Sequence, residues 1–268
     1  MKSPKEHILD RHLLGLLDQN QNSYKLAKIL VEDPEVEAIQ DYANSVSIKR
    51  LNYNDHGPVH MRQVAYNGVK MLSLLKDANI TTSLEKEDTG TYDDSLSALL
   101  LASFLHDLGM SVSRTDHELT GIIIARPIME RVLHQVYPHD LSTRVAIISI
   151  ATEAILGHMA NRRVSSLEAG LLLVADGCDM EKGRARIPMS ITTAPKTGDI
   201  HKYSANSIEK VTIQKGNEQP ILIDVDMSSD VGYFQIEEVL LPKIMMSPAK
   251  QYVEVHAGVL GQPKKRYL

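Results

Sequence analysis

An almost unbroken apolar run at residues 95 to 108 ends in LLASFLHDLG, which sets an imidazole and a carboxylate, His106 and Asp107, side by side just before Gly109. The run reads as a helix. Burying such a pair is costly unless something satisfies both groups. Either the rest of the chain supplies a partner, or the pair stays at the surface. The chain has no Trp and only two Phe, so its core must come from Leu, Ile, Val, Met and Ala. Through the first three quarters these recur at helical spacing.

The same spacing predicts helices over residues 5–18 and 22–32. A third follows, with Asp33 as N-cap and Pro34 at its first position. YNDHGP at 53–58 is turn chemistry, and Pro58 then opens a helix to about Leu75. Residues 77–94 are polar and read as an exposed, mobile loop. After the apolar helix, Thr115 and Glu118 have the spacing of a capping box, which predicts a helix from about Asp116 to 134. Helices over 140–158 and 165–179 complete this part. Beyond about residue 185 the pattern changes. KVTIQK and ILIDVDM alternate apolar and polar residues on either side of a turn, which predicts two strands. FQIEEVLLPKIMMS has helical spacing interrupted by Pro242, which starts a second helical piece. QYVEVHA returns to a strand. The expected fold class is therefore mainly α: a helical bundle over residues 1–185, then a small α/β part over 186–268. A homo-oligomer joined at the edges of the small sheet is compatible with this pattern.

Charge and cysteine content narrow the function. The 268 residues carry a net charge of −5, which argues against an extended nucleic-acid surface. Cys178 is the single cysteine, so neither an internal disulfide nor a cysteine-rich zinc site is available. MKSPKEHILDRHLLGLL lacks the apolar core of a secretory signal, and no run of about 18 apolar residues suggests a membrane span. The expectation is a cytoplasmic protein without a membrane partner.

His60, Val64, Met71 and Leu75 share one face of the Pro58 helix, so His60 points inward. His158 follows Ile147, Ala151, Ala154 and Ile155 on an inner face. Asp176 follows Ala169, Leu172 and Leu173 within GLLLVADGCDM, an uncomfortable place for a lone carboxylate. His117 sits in the first turn of its helix. Taken singly, an inward histidine reads first as a hydrogen-bonded core residue, and His117 reads equally as a surface residue near a cap. Taken together, four apolar helices bring His60, the His106–Asp107 pair, His158 and Asp176 to inward faces. A divalent metal answers the burial problem for all of them, because it neutralises carboxylates and ligates imidazoles.

His60 in HMRQVA, the pair at 106 and 107, and Asp176 in VADGCD resemble the H…HD…D signature of the HD superfamily of metal-dependent phosphohydrolases. HDLGMSVSRTDHE and ADGCDMEKGRARIP are similar to a branch of uncharacterised archaeal HD proteins, and the resemblance covers roughly residues 50 to 190. It implies an HD-type helical bundle with His60, His106, Asp107 and Asp176 around a metal. Two further histidines between the pair and the last aspartate accompany a second metal in some members. His117 and His158 are the candidates here, since His134 and His139 continue no inward stripe. The implied activity is cleavage of a phosphoester, mono- or diester, of a nucleotide or small phosphorylated metabolite by a metal-activated water. Asp107 would be the catalytic bridge between metals. The mixed N and O ligands suit Mn, Fe, Ni, Co or Zn, and Mg less naturally. A non-catalytic metal- and nucleotide-binding regulatory module is the alternative.

A phosphate substrate also needs cationic side chains. Arg114 lies between the HD pair and His117, and Lys182, Arg184 and Arg186 follow Asp176 closely. All four are candidates, although cations past a helix C-terminus are also favourable without any substrate. Arg62 is turned about 200° from His60 around the helix, away from the site face. His56 stands at the rim, as a substrate or supporting contact or as a simple turn residue.

Overall fold

The structure, a computed structural model, describes residues 2–51, 53–182 and 200–268. Its centre is the apolar helix, α6 (Tyr92–Leu105), in which every residue from Asp94 to Leu105 is buried. A helix apolar all round has no face to give to water, so others surround it: α2 (Asn22–Glu32), α4 (Pro58–Asp77), α8 (Leu141–Gly157) and α9 (Leu167–Gly177). Thr91 starts α6 with a capping box. Its hydroxyl accepts from the Asp94 N–H, and the Asp94 carboxylate accepts from the Thr91 N–H at 2.8 Å.

Outside this layer lie α1 (Pro4–Leu16), α3 (Pro34–Ser45) and α7 (His117–Val136). Asp33 caps α3 as expected, accepting from the N–H groups of Glu35 and Val36. Its second oxygen accepts from Arg131 of α7 at 2.6 Å. A π-helical turn (Val46–Arg50) follows α3, and Pro58 opens α4.

Two expectations need correction. The polar segment 77–94 is not a bare loop. It contains α5 (Ser83–Lys86), begun by a capping box between Thr82 and Glu85, with Leu84 buried. The buried Glu168 of α9 holds it in place, accepting from the Ser83 N–H at 3.0 Å and the Ser95 hydroxyl at 2.7 Å. Part of the polar composition serves hydrogen bonds made inward, while residues 77–79 and 86–89 are exposed as expected. The second correction concerns Thr115 and Glu118, which form no capping box. Asp116, the residue before α7, takes a left-handed conformation (φ 53°) and makes no side-chain cap. Glu118 instead accepts from Asn161 at 2.7 Å.

The C-terminal part contains α10 (Ile200–Asn206) and a four-stranded sheet in the order β1 (Ile208–Lys215), β2 (Ile221–Met227), β3 (Val253–Val259), β4 (Lys265–Arg266). β1 and β2 pair antiparallel, with Val211 opposite Val225 and Ile213 opposite Ile223. β2 and β3 pair parallel, with Ile223 opposite Val255. A parallel pair requires a crossover. Here it runs through α11 (Tyr233–Gln235), a π-helical turn (Ile236–Leu240) and α12 (Leu241–Met246), with Pro242 in the first turn of α12. The sheet lies against α4 and the crossover against α9, and one apolar cluster runs from Leu13 through Ala257. The fold is thus mainly α with a small α/β part. The boundary expected near residue 185 lies outside the described residues. Among the described residues no helix is long and apolar enough to cross a membrane.

Candidate metal centre

Six side chains expected at the site meet in one place, and all six are buried. Helix ends deliver them. His60 is in the first turn of α4, and His106 and His158 are the C-caps of α6 and α8. Asp107 begins the 3₁₀ turn Leu108–Ser111, His117 begins α7, and Asp176 is in the last turn of α9. Gly109 lets the 3₁₀ turn press against α7, since a Cβ there would stand 1.9 Å from the His117 carbonyl oxygen. That close approach brings His117 to Asp107.

Local hydrogen bonds fix the ring tautomers. A helix end leaves carbonyls without partners, and His106 and His158 each use one; His117 uses a carbonyl of the loop before α7. Nδ1 of His106 is 3.0 Å from the Ser103 carbonyl, Nδ1 of His158 is 2.7 Å from that of Ile155, and Nδ1 of His117 is 2.9 Å from that of Arg114. In each case the acceptor lies three residues back. A carbonyl can only accept, so each Nδ1 carries the proton. His60 makes the equivalent contact to the Asp179 carboxylate, 2.6 Å away. In the neutral rings the four Nε2 atoms therefore present lone pairs.

Those lone pairs converge. Nε2 of His60 and His106 are 3.2 Å apart, and Nε2 of His117 and His158 are 3.0 Å apart. Asp107 stands between the two pairs. Its Oδ2 is 3.4 Å from Nε2 of both His60 and His106. Its Oδ1 is 3.2 Å from Nε2 of His117 and 3.3 Å from that of His158. Asp176 Oδ1 completes the first group, 3.4 Å from His60 Nε2. Acceptors facing acceptors at these distances repel unless a proton or a metal cation lies between them. Donors about 2.1 Å from one metal ion stand roughly 3.0–3.4 Å from each other, so the spacing fits. Two groups could each hold an ion: His60, His106 and Asp176, and His106, Asp107 and His158. His117 stands beside the second.

The electrostatics agree. Burial alone would raise the Asp107 carboxyl, but the charges of His106 and His56 and hydrogen bonds from His106 and His117 outweigh it and hold Asp107 well below the usual carboxylate range. Burial pulls His117 down, yet its contacts with Asp107 raise it overall. For His158 burial wins and its pKa falls, which favours the neutral, metal-ligating form.

A cavity of about 510 Å³ opens over this centre, with Asp107, His158 and Asp176 in its floor and Arg114 and His56 at its sides. The Arg114 guanidinium rests on the sulfur atoms of Met110 (3.9 Å) and Met159 (3.7 Å) and over the Tyr53 ring. His56 places Nδ1 2.7 Å from the Asn54 carbonyl. Lys182 is not brought here: it is exposed, and its ammonium pairs with Glu209. Arg184 and Arg186 lie outside the described residues. Arg62 is buried and bonded elsewhere, and His134 and His139 are exposed. Two polar neighbours escaped the sequence. Asp179, three residues after Asp176, signals itself only by proximity. Lys243, whose ammonium pairs with Asp176 Oδ2, has no local signal at all.

Over 230 residues, 86% of this chain and 86% of the other, the sequence is 40% identical to an uncharacterised protein of Methanocaldococcus jannaschii. No protein-family model and no solved structure matches the chain.

Proposed function

The chain belongs to the family of this Methanocaldococcus jannaschii protein, and from that premise we propose that it is a metal-dependent phosphohydrolase of the HD type. It cleaves a phosphoester of a nucleotide or another small phosphorylated molecule. The observation that carries this reading is the convergence of four histidine Nε2 atoms and two aspartates beneath a cavity whose floor holds Asp107, His158 and Asp176. A purely structural cluster has no reason to aim acceptors at one another beneath a solvent-reachable space.

His60, His106, Asp107 and Asp176 would hold one divalent ion, and Asp107, His117 and His158 a second. When bound, the metal supplies Lewis-acid charge for the phosphoryl group and an activated water. The chain's own residues do the remainder. Asp107 gives one oxygen to each group and so sets their spacing. Asp179 fixes the His60 ring through Nδ1. Among the described residues no carboxylate pairs with Arg114, whose guanidinium is suited to bidentate contact with phosphoryl oxygens. His56, on the cavity side, is placed to hold or move a proton. The volume suits a mononucleotide-sized ligand rather than a polymer.

The test is to purify the protein without chelator, assay its metal, and offer nucleotides and generic phosphoesters with Mn, Ni, Co or Mg. Hydrolysis that depends on added metal is the expected result. Bound metal without turnover on any substrate would leave a non-catalytic binding module in its place.

A further inference from the structure

The cavity has walls of two origins. The helical body provides the floor and one side. The crossover between β2 and β3 adds Gln235, Glu238, Pro242 and Lys243 to its lining. Lys243 reaches the centre itself: its ammonium pairs with Asp176 Oδ2, while Asp176 Oδ1 faces His60 Nε2 at 3.4 Å. The stem of Lys243 lies across the end of α9 where Gly177 has no side chain. A Cβ at Gly177 would be 3.3 Å from Lys243 Cδ and 3.2 Å from Leu240 Cδ1. A stem packed in this way has already lost much of the rotamer freedom that a lysine usually gives up on binding. The ammonium has three donors, and Lys243 still lines the cavity.

We propose that Lys243 is a substrate-contacting residue of this centre: its ammonium, anchored on Asp176, donates hydrogen bonds to phosphoryl oxygens of the substrate. The proposal rests on the phosphohydrolase reading and deepens it by assigning substrate recognition to the C-terminal part. Asp176 then has two jobs on its two oxygens, one toward the ligand cluster and one toward the cation. Arg114, against Met110, Met159 and Tyr53, lines the same cavity from the helical body. A phosphoryl group in the cavity would thus meet two cations, one from each part of the chain. A lysine that merely oriented Asp176 would affect metal uptake. A lysine that contacts substrate affects anion affinity at constant metal content.

The experiment uses the full-length protein loaded with Mn and inorganic phosphate as the probe, with affinity read by titration calorimetry and metal content by elemental analysis. Lys243→Met keeps the stem and removes the charge. It is expected to retain wild-type metal content and to bind phosphate about ten- to a hundredfold more weakly, the value of a hydrogen bond to a charged group. Lys243→Arg should recover most of that loss. Unchanged phosphate affinity in Lys243→Met, or a loss only in proportion to lost metal, overturns the proposal. Wild-type protein that takes up no metal refutes the metal-centre reading first, and the proposal with it. If Lys243→Met does not fold, amine-reactive labelling of the wild type decides. Phosphate should shield Lys243 in the Mn-loaded protein, and equal labelling with and without phosphate contradicts the assignment.

Discussion

His60 and Arg62 stand two residues apart at the start of α4, both buried, in opposite kinds of surroundings. Around Arg62 every donor group meets an acceptor. Nε donates to Asp10 at 2.7 Å, Nη1 to the Pro58 carbonyl at 3.1 Å, and Nη2 to the Val31 carbonyl at 3.3 Å. Charge meets charge, and the result ties α1 and the end of α2 to α4. Around His60 the inventory runs the other way: His60, His106, His117, His158, Asp107 and Asp176 aim acceptors at one another. Burial of charge therefore does not mark a functional site. What sets the His60 cluster apart is that its imidazole and carboxylate acceptors face one another, where the acceptors around Arg62 face donors.

The comparison breaks most sharply at Asp107. Asp107→Ala should lose metal and cut the rate by several kcal/mol of transition-state stabilisation, about a thousandfold or more. Its helical circular dichroism should stay close to wild type. Full activity in that variant would make the His60 cluster as structural as the Arg62 one. Arg62→Met should do the reverse. It strands Asp10, leaving it only its contact with Lys2, and should lower unfolding stability by about 3 kcal/mol. Urea melts measure that cost, and metal content per folded chain should not change. Asp179→Asn tests the support of a single ligand. Competition with a chelator should show metal affinity reduced by about 10- to 100-fold.

The smallest effect is one of pH. The pKa of His117 is raised above its ordinary 6.5, because contacts with Asp107 outweigh burial. In the metal-free protein the resulting stabilisation is fully present below the ordinary imidazole value and is lost as pH rises through the raised one. Metal must displace that proton, so metal affinity should climb over the same interval. The gain in Tm on adding metal should therefore widen as pH rises. A constant gain across that interval would place His117 outside the metal site.

His60, His158 and Asp176 were legible because each interrupts an apolar stripe whose 3.6-residue period reveals the face it takes, the His106–Asp107 pair because it ends an all-apolar run, and His117 through the resemblance to the HD signature. The order of helices was legible from the same period and the three longer strands from apolar–polar alternation; the parallel pairing of β2 with β3 was not. Lys243 was not, because it lies 67 residues from Asp176, in a segment where a lysine reads as a solvent-facing residue. The segment 77–94 carried its signal in plain view: Thr82–Glu85 and Thr91–Asp94 both have capping-box spacing. Polar composition masked it, because nothing local reveals that the buried Glu168 waits for those backbone N–H groups. Thr115 and Glu118 show the converse. The spacing is right, but Asn161 competes for Glu118 from a distant loop, and local spacing cannot register such a competitor.

Anomalous diffraction from crystals grown with Mn tests the central claim most directly. Two peaks are expected, one touched by His60, His106, Asp107 Oδ2 and Asp176 Oδ1, the other by Asp107 Oδ1, His117 and His158. Absence of any peak there, with the same side chains in place at millimolar Mn, would contradict it.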